Sequence, residues 1–229
     1  MYDLGFFLLI AATILSLYAQ TKVSSTFNKY SKMQNAKGYT GADVARMLLE
    51  LNNIRDVRVE PIQGSLTDHY DPTNKVLRLS EPVYGSTSLA ALGVAAHETG
   101  HACQHATGYF PLSIRSSLVP IANFGSKFSI FLIVFGLMLS GIAGFFYQVA
   151  WAGVIFYVAV VAFQFVTLPV EFNASSRALN MLEDNGYLSQ DEVKPAKKVL
   201  SAAALTYVAA ATVALAQLLR FVGMLNRRR

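Results

Sequence analysis

FSIFLIVFGLMLSGIAGFFYQVAWAGVIFYVAVVAFQFVTLPV, residues 128–170, contains no charged side chain. A membrane-spanning helix needs about 20 apolar residues. This run is too long for one crossing and fits two, joined by a tight turn near Gly144 to Trp151. Gly144, Gln148 and Trp151 suit a turn at a bilayer surface, where Trp and Tyr gather. Two further uncharged runs, Leu4 to Thr21 and Val199 to Leu219, each match one span. Four crossings are expected. Val83 to Ala96 is uncharged too, but it is too short and too rich in Ser and Thr to span a bilayer.

Composition agrees. Of 229 residues, 53% are hydrophobic and 14% charged, against about 25% charged in soluble domains. The first run lacks a positive leader and an Ala-x-Ala-like exit, so it reads as an uncleaved anchor and not a signal peptide. A buried soluble helix is the competing reading, and the other three spans weaken it. The net charge of +5 comes largely from lysines beside the apolar runs. That placement fits orientation in a lipid bilayer and not nucleic-acid binding. The absence of ionisable residues inside the spans argues against a transporter. A single cysteine, Cys103, leaves no intrachain disulfide and reads as a small buried packing residue.

Between the first two spans the periodicity changes. Thr40 is a plausible N-cap for a helix over 42–53, with Val44, Met47, Leu48 and Leu51 at helical spacing. Residues 57–60 and 76–80 alternate as short strands, separated by the turn-rich 64–74. A helix is expected from about Ser86 to Ala106, followed by the breakers Gly108, Pro111 and Pro120.

That helix carries His97-Glu98-Thr99-Gly100-His101. Residues four apart share a helix face, so two imidazoles can take adjacent corners of one tetrahedral zinc site. Glu98, beside the first ligand, can take a proton from water acidified by the metal. The motif stands in an apolar helix, where two His and a Glu are costly to bury without a partner. A catalytic zinc needs a third protein ligand and an open position. Thr107 occupies the place where a metzincin needs its third His, and no Leu-Asp-Gly element of the site-2-protease kind exists. His105 lies two turns from His97 and suits a supporting or surface role. Glu171 remains. The chain crosses twice and returns to the same side, and Glu171 is the first charged residue after that return.

HExxH, two spans and a Glu-Phe-x-Ala element together resemble the HtpX and Ste24 membrane gluzincins. The resemblance implies that Glu171 is the third zinc ligand. In those families an Asp four residues later orients the first His. Here that position is Ser175, so Asn173 or Ser175 supplies the contact. The chain is more similar still to small bacterial membrane zinc peptidases of the YugP type. That likeness extends over Asp68 to Pro72, His97 to His105 and Val170 to Ser175. In the resembled gluzincins the strand before the zinc helix forms the edge that pairs with extended substrate, which assigns peptide binding to Val76, Leu77, Arg78 and Leu79. His69 either donates to an oxyanion or holds a loop through Asp68 or Asp71. Tyr70, Tyr109 and Arg177 are further candidates.

The expected architecture is a mainly α membrane protein. It comprises an anchor (1–21), a zincin-like α+β domain with two or three strands (22–127), a helical hairpin (128–170), a third-ligand segment (171–198), a last span (199–222) and a basic tail (223–229). The expected activity is peptide-bond hydrolysis with one Zn2+ per chain, acting on peptides or proteins, membrane proteins among them. The alternative is a non-catalytic zinc-binding scaffold or chaperone, which would not need Glu98. Lysines and arginines flanking the zinc side, against Arg227, Arg228 and Arg229 opposite, place the site on the cytoplasmic face of a bacterial plasma membrane.

Overall fold

The uncharged runs fold as helices in the computed structural model, which describes residues 4–227. Residues 1–3 of the expected anchor, and Arg228 and Arg229 of the basic tail, lie outside the described residues. In order, the elements are α1 (Leu4–Tyr30), α2 (Gly41–Leu51), β1 (Arg58–Ile62), β2 (His69–Asp71) and β3 (Val76–Ser80). There follow α3 (Glu81–Tyr84), α4 (Leu89–Ala106), α5 (Phe110–Leu139), α6 (Gly144–Asp184) and α7 (Gln190–Asn226). Four of these, α1, α5, α6 and α7, are long and apolar enough to cross a membrane. The chain forms two compact units, one from Met1–Ala19, Ser113–Pro169 and Thr206–Arg229, the other from Gln20–Leu112 and Val170–Leu205.

The first unit is built from the apolar helices. Its core gathers Ile133, Leu137, Ala150, Val154, Phe221 and Leu225. Glycines bring α5 and α6 close: a Cβ on Gly136 would stand 2.5 Å from Ala150 N, and one on Gly153 would stand 2.8 Å from Ser129 O. Small residues serve this purpose between membrane helices, where close van der Waals packing drives association. Phe131, Met138, Ile142, Phe145 and Ile155 point outward and exposed, as suits a surface solvated by lipid. The turn between α5 and α6 falls at residues 140–143, earlier than the sequence suggests. Tyr147 and Trp151 pack on the core from inside α6, so burial of their rings draws them into the helix. Pro111 stands in the first turn of α5, where a missing N–H does no harm. Pro120 stays inside that helix and does not end it.

In the second unit, α2 starts at the expected cap. Asp43 N donates to Thr40 Oγ1 (3.1 Å) and Thr40 N donates to Asp43 Oδ2 (3.0 Å), a reciprocal capping box. The Thr40 hydroxyl, which donates to Asp43 Oδ2 at 2.6 Å, and the Thr40 N–H together hold the Asp43 carboxyl below its ordinary pKa. The cap of α4 is Ser88, whose Oγ accepts from Ala91 N at 3.2 Å. The helix carrying His97 and His101 therefore begins at Leu89, slightly later than expected. One side of α4 (Ala91, Ala95, Ala102, Cys103) packs with Leu77 and Leu79 of β3. Another side (Leu92, Ala96) packs with Val44, Leu48, Ala178, Leu182 and Ala196. Cys103 is buried in this packing, and burial pushes its thiol pKa up.

The sheet has the order β1-β3-β2, with β1 parallel and β2 antiparallel to β3. This corrects the expectation that Val76, Leu77, Arg78 and Leu79 form an open edge for substrate. β3 is the central strand, and Val76 to Arg78 are paired on both flanks. Beyond β2, Asp68 closes the end of β3 by accepting from Ser80 N (2.7 Å) and Ser80 Oγ (2.8 Å). The edges are β1 and β2. The physical reason is burial: Val76, Leu77 and Leu79 are wholly buried, which an edge strand rarely achieves.

Candidate metal centre

Helix α4 presents His97 and His101 one turn apart. Their rings stand nearly perpendicular, at 84° with centroids 4.8 Å apart. Glu171 lies 74 residues from His97 in sequence and meets both rings. Its Oε2 is 3.2 Å from His97 Nε2 and 3.4 Å from His101 Nε2. One donor atom from each residue falls within 4.8 Å of the others. Glu171 is only 2% exposed. The approach that brings it there depends on Gly100, the fourth residue of the motif. A Cβ at Gly100 would stand 2.6 Å from Ala174 O, so any larger residue would push away the turn of α6 that carries Glu171.

The far nitrogens of both imidazoles are held. His97 Nδ1 is 3.1 Å from Ser175 Oγ. His101 Nδ1 is 3.0 Å from Gln104 Oε1. The Gln104 amide has its orientation set by what its nitrogen donates to: Val170 O at 2.7 Å and Asn173 Oδ1 at 3.0 Å. Its oxygen is therefore the acceptor, His101 Nδ1 carries a proton, and Nε2, on the Glu171 side of the ring, is the nitrogen left for a metal. Asn173 Oδ1 accepts again from Arg177 Nε at 2.8 Å, and the Arg177 guanidinium lies 5.9 Å from the centre of the Tyr109 ring. A chain of bonds thus runs from a helix-borne histidine to the backbone beside Glu171.

The donor set fits zinc. Two imidazole nitrogens and one carboxylate oxygen converge, with outer partners that orient the ligands, and three protein ligands leave a position for a substrate or water. The electrostatics favour a cation. Burial, the largest influence on His101, opposes charge on the ring, yet the bond to Glu171 and the charges of Glu98 and Glu171 outweigh it and raise its pKa. Glu98 is buried beside the first histidine.

Ser175 and Asn173 both stand behind the cluster, Ser175 against His97 and Asn173 against Gln104. His105 does not join them. Its Nδ1 is 2.9 Å from Tyr70 OH, in a separate cavity shared with Asp56 and Lys75. Burial, with Asp56 and Asp71 nearby, pushes the Tyr70 phenol up to about 12, so it stays protonated beside His105 Nδ1. His69 Nδ1 is 2.8 Å from Thr67 O and Nε2 is 3.3 Å from Arg78 Nη1. Asp71 arranges the following turn through Thr73 N, Asn74 N and the Asn74 amide. Gln104, fully buried, is the residue the sequence analysis did not single out. The available signal was a lone amide on an apolar helix, three residues beyond His101 and so on its face.

The cluster of His97, His101 and Glu171 stands on a mainly helical chain with, among its described residues, four long apolar helices and a three-stranded sheet. The chain belongs to the family described as "Putative neutral zinc metallopeptidase", which matches residues 5–226. A relative from Bacillus subtilis (strain 168), named "Putative membrane protease YugP", is 50% identical over 216 residues, 94% of each chain. No solved structure matches the chain.

Proposed function

We propose that this chain is a membrane-anchored zinc metalloendopeptidase of the gluzincin kind, with His97, His101 and Glu171 as metal ligands and Glu98 as general base. The observation that carries the reading is the convergence of the two Nε2 atoms on Glu171 Oε2. Zinc, when bound, supplies a Lewis acid that acidifies water and polarises a carbonyl. Glu98 accepts the proton from that water and returns it to the amine that leaves as the peptide bond breaks. Ser175 and Gln104 hold the imidazoles with Nε2 free to ligate, and Glu171 offsets the cation's charge. One donor set among the described residues supports one zinc per chain. The substrates are peptides or proteins, membrane proteins among them. Lysines flanking the zinc side support a site on the cytoplasmic face of a bacterial plasma membrane, and the relative's printed name of membrane protease supports the anchored reading.

The decisive experiment is Glu98→Gln. The amide is near-isosteric but cannot accept the proton. Zinc content stays at the wild-type value while cleavage of an unfolded protein is lost. Equal cleavage by both purified proteins removes Glu98 from the mechanism.

A further inference from the structure

A second cavity, of about 420 Å³, lies away from the metal centre. Lys22, Thr26 and Lys29 of α1 line it from one helix face, and Lys198 and Ser201 line it from α7. The spacings, four and three residues on α1 and three on α7, are those that place side chains on a common face. No acidic residue lines the cavity. Among the described residues, none of the three ammonium groups has a carboxylate within ion-pair distance, and neither hydroxyl is hydrogen-bonded. The three lysines and Ser201 are exposed and Thr26 is half-buried, Lys29 Nζ lies 5.5 Å from the centre of the Tyr30 ring, and the open hollow thus gathers three like charges with no opposite charge in its lining.

We infer that this cavity binds a phosphate group, that of an anionic phospholipid. The ammonium groups supply charge, and the Thr26 and Ser201 hydroxyls donate to phosphate oxygens. Position selects the lipid. Lys22 is the first charged residue after the run Leu4 to Thr21, and Lys198 is the last before the run Val199 to Leu219. On the membrane reading, on which this inference rests, both mark the level at which their spans reach the headgroups. Basic pockets at that level recognise anionic headgroups. Ala202 and Leu205, further along the same face of α7, offer an apolar wall for the first acyl carbons.

The test uses the full chain, purified and delipidated in a neutral detergent. Native mass spectrometry and thermal unfolding are read with phosphatidylglycerol, phosphatidylcholine and inorganic phosphate added separately. Phosphatidylglycerol is expected to bind at least tenfold more tightly than phosphatidylcholine, from about fivefold for each lysine. The combined variant Lys22→Gln, Lys29→Gln, Lys198→Gln loses that preference, while the same three positions changed to Arg keep it. Lys197→Gln, outside the cavity, also keeps it. The Gln variant must unfold at the wild-type temperature without lipid; the Arg and Lys197 variants decide the matter if it does not. Retained preference in the Gln variant, or loss in the Arg variant as well as in Lys197→Gln, overturns the site. Tight binding of inorganic phosphate with no preference between the two lipids overturns the lipid as its source. Carbonate extraction of cell membranes tests the membrane reading separately: release of the chain there refutes the anchoring, whatever the lipid data show.

Discussion

Replacing Gln104 by Leu keeps nearly the same volume on α4 but removes one acceptor and two donated bonds. His101 Nδ1 loses its partner at 3.0 Å, and Val170 O loses a donor at 2.7 Å. Asn173 Oδ1 keeps its bond from Arg177 Nε. Gln104 is fully buried, so water does not readily replace it. Freed from its acceptor, the His101 ring can rotate or carry its proton on Nε2, where it blocks ligation. Loss of such an outer partner costs about 10–100-fold in metal affinity, or about 1.4–2.7 kcal/mol. The stranded His101 N–H also lowers folding stability, by about 1–3 kcal/mol, whereas Val170 O sits within the helical ladder of α6. Gln104→Glu separates the two effects. Its carboxylate still accepts from His101 but sets oxygen against Val170 O and Asn173 Oδ1. Both variants should therefore unfold earlier, while only Leu loses tenfold or more in zinc affinity, measured by competition with a chelator at a temperature where both are folded. Wild-type zinc affinity in Gln104→Leu, or an equal drop in the Glu variant, would refute the assigned role in orienting His101.

Other consequences of the structure are as direct. Glu171→Ala should lose zinc as severely as His101→Ala, since each leaves two protein ligands; retention at wild-type affinity in chelator competition would exclude Glu171 from the ligand set. Gly100→Ala should destabilise the fold, despite the roughly 1 kcal/mol by which Ala is the better helix former, because its Cβ would meet Ala174 O at 2.6 Å. A raised thermal midpoint would show that the close approach is not as described. Cytoplasmic sidedness predicts that, in a Cys103→Ser background, a cysteine at Ser65 is protected from an impermeant reagent in intact cells while one at Asn226 is labelled. The reverse pattern would invert the orientation.

The parts of the fold that were legible in sequence are those whose cause is local. The uncharged runs 4–21 and 199–219 mark helices because apolar length is a property of the segment itself. Thr40 reads as a cap because its partner, Asp43, is three residues away. His97 and His101 share a face because helical geometry alone puts residues four apart together. The turn at 140–143 was misread at Gly144 to Trp151 because aromatic residues suit both an interfacial turn and a helix packed on a core, and only the core at Ile133, Val154 and Phe221 chose between them.

What the sequence by itself determined was that a paired-histidine motif with a glutamate between them stands on an apolar helix among four lipid-length runs. Tertiary structure alone decided what completes and supports that motif. Glu171 meets His97 across 74 residues, and its arrival depends on the missing side chain of Gly100 against Ala174. Gln104 orients His101 through its amide's bonds to Val170 and Asn173, more than 60 residues away. The place of β3 at the centre of its sheet rests on β1 and β2 closing over both flanks. Each of these depends on which distant backbones pack together, and periodicity along one segment carries no record of the neighbour that will cover it.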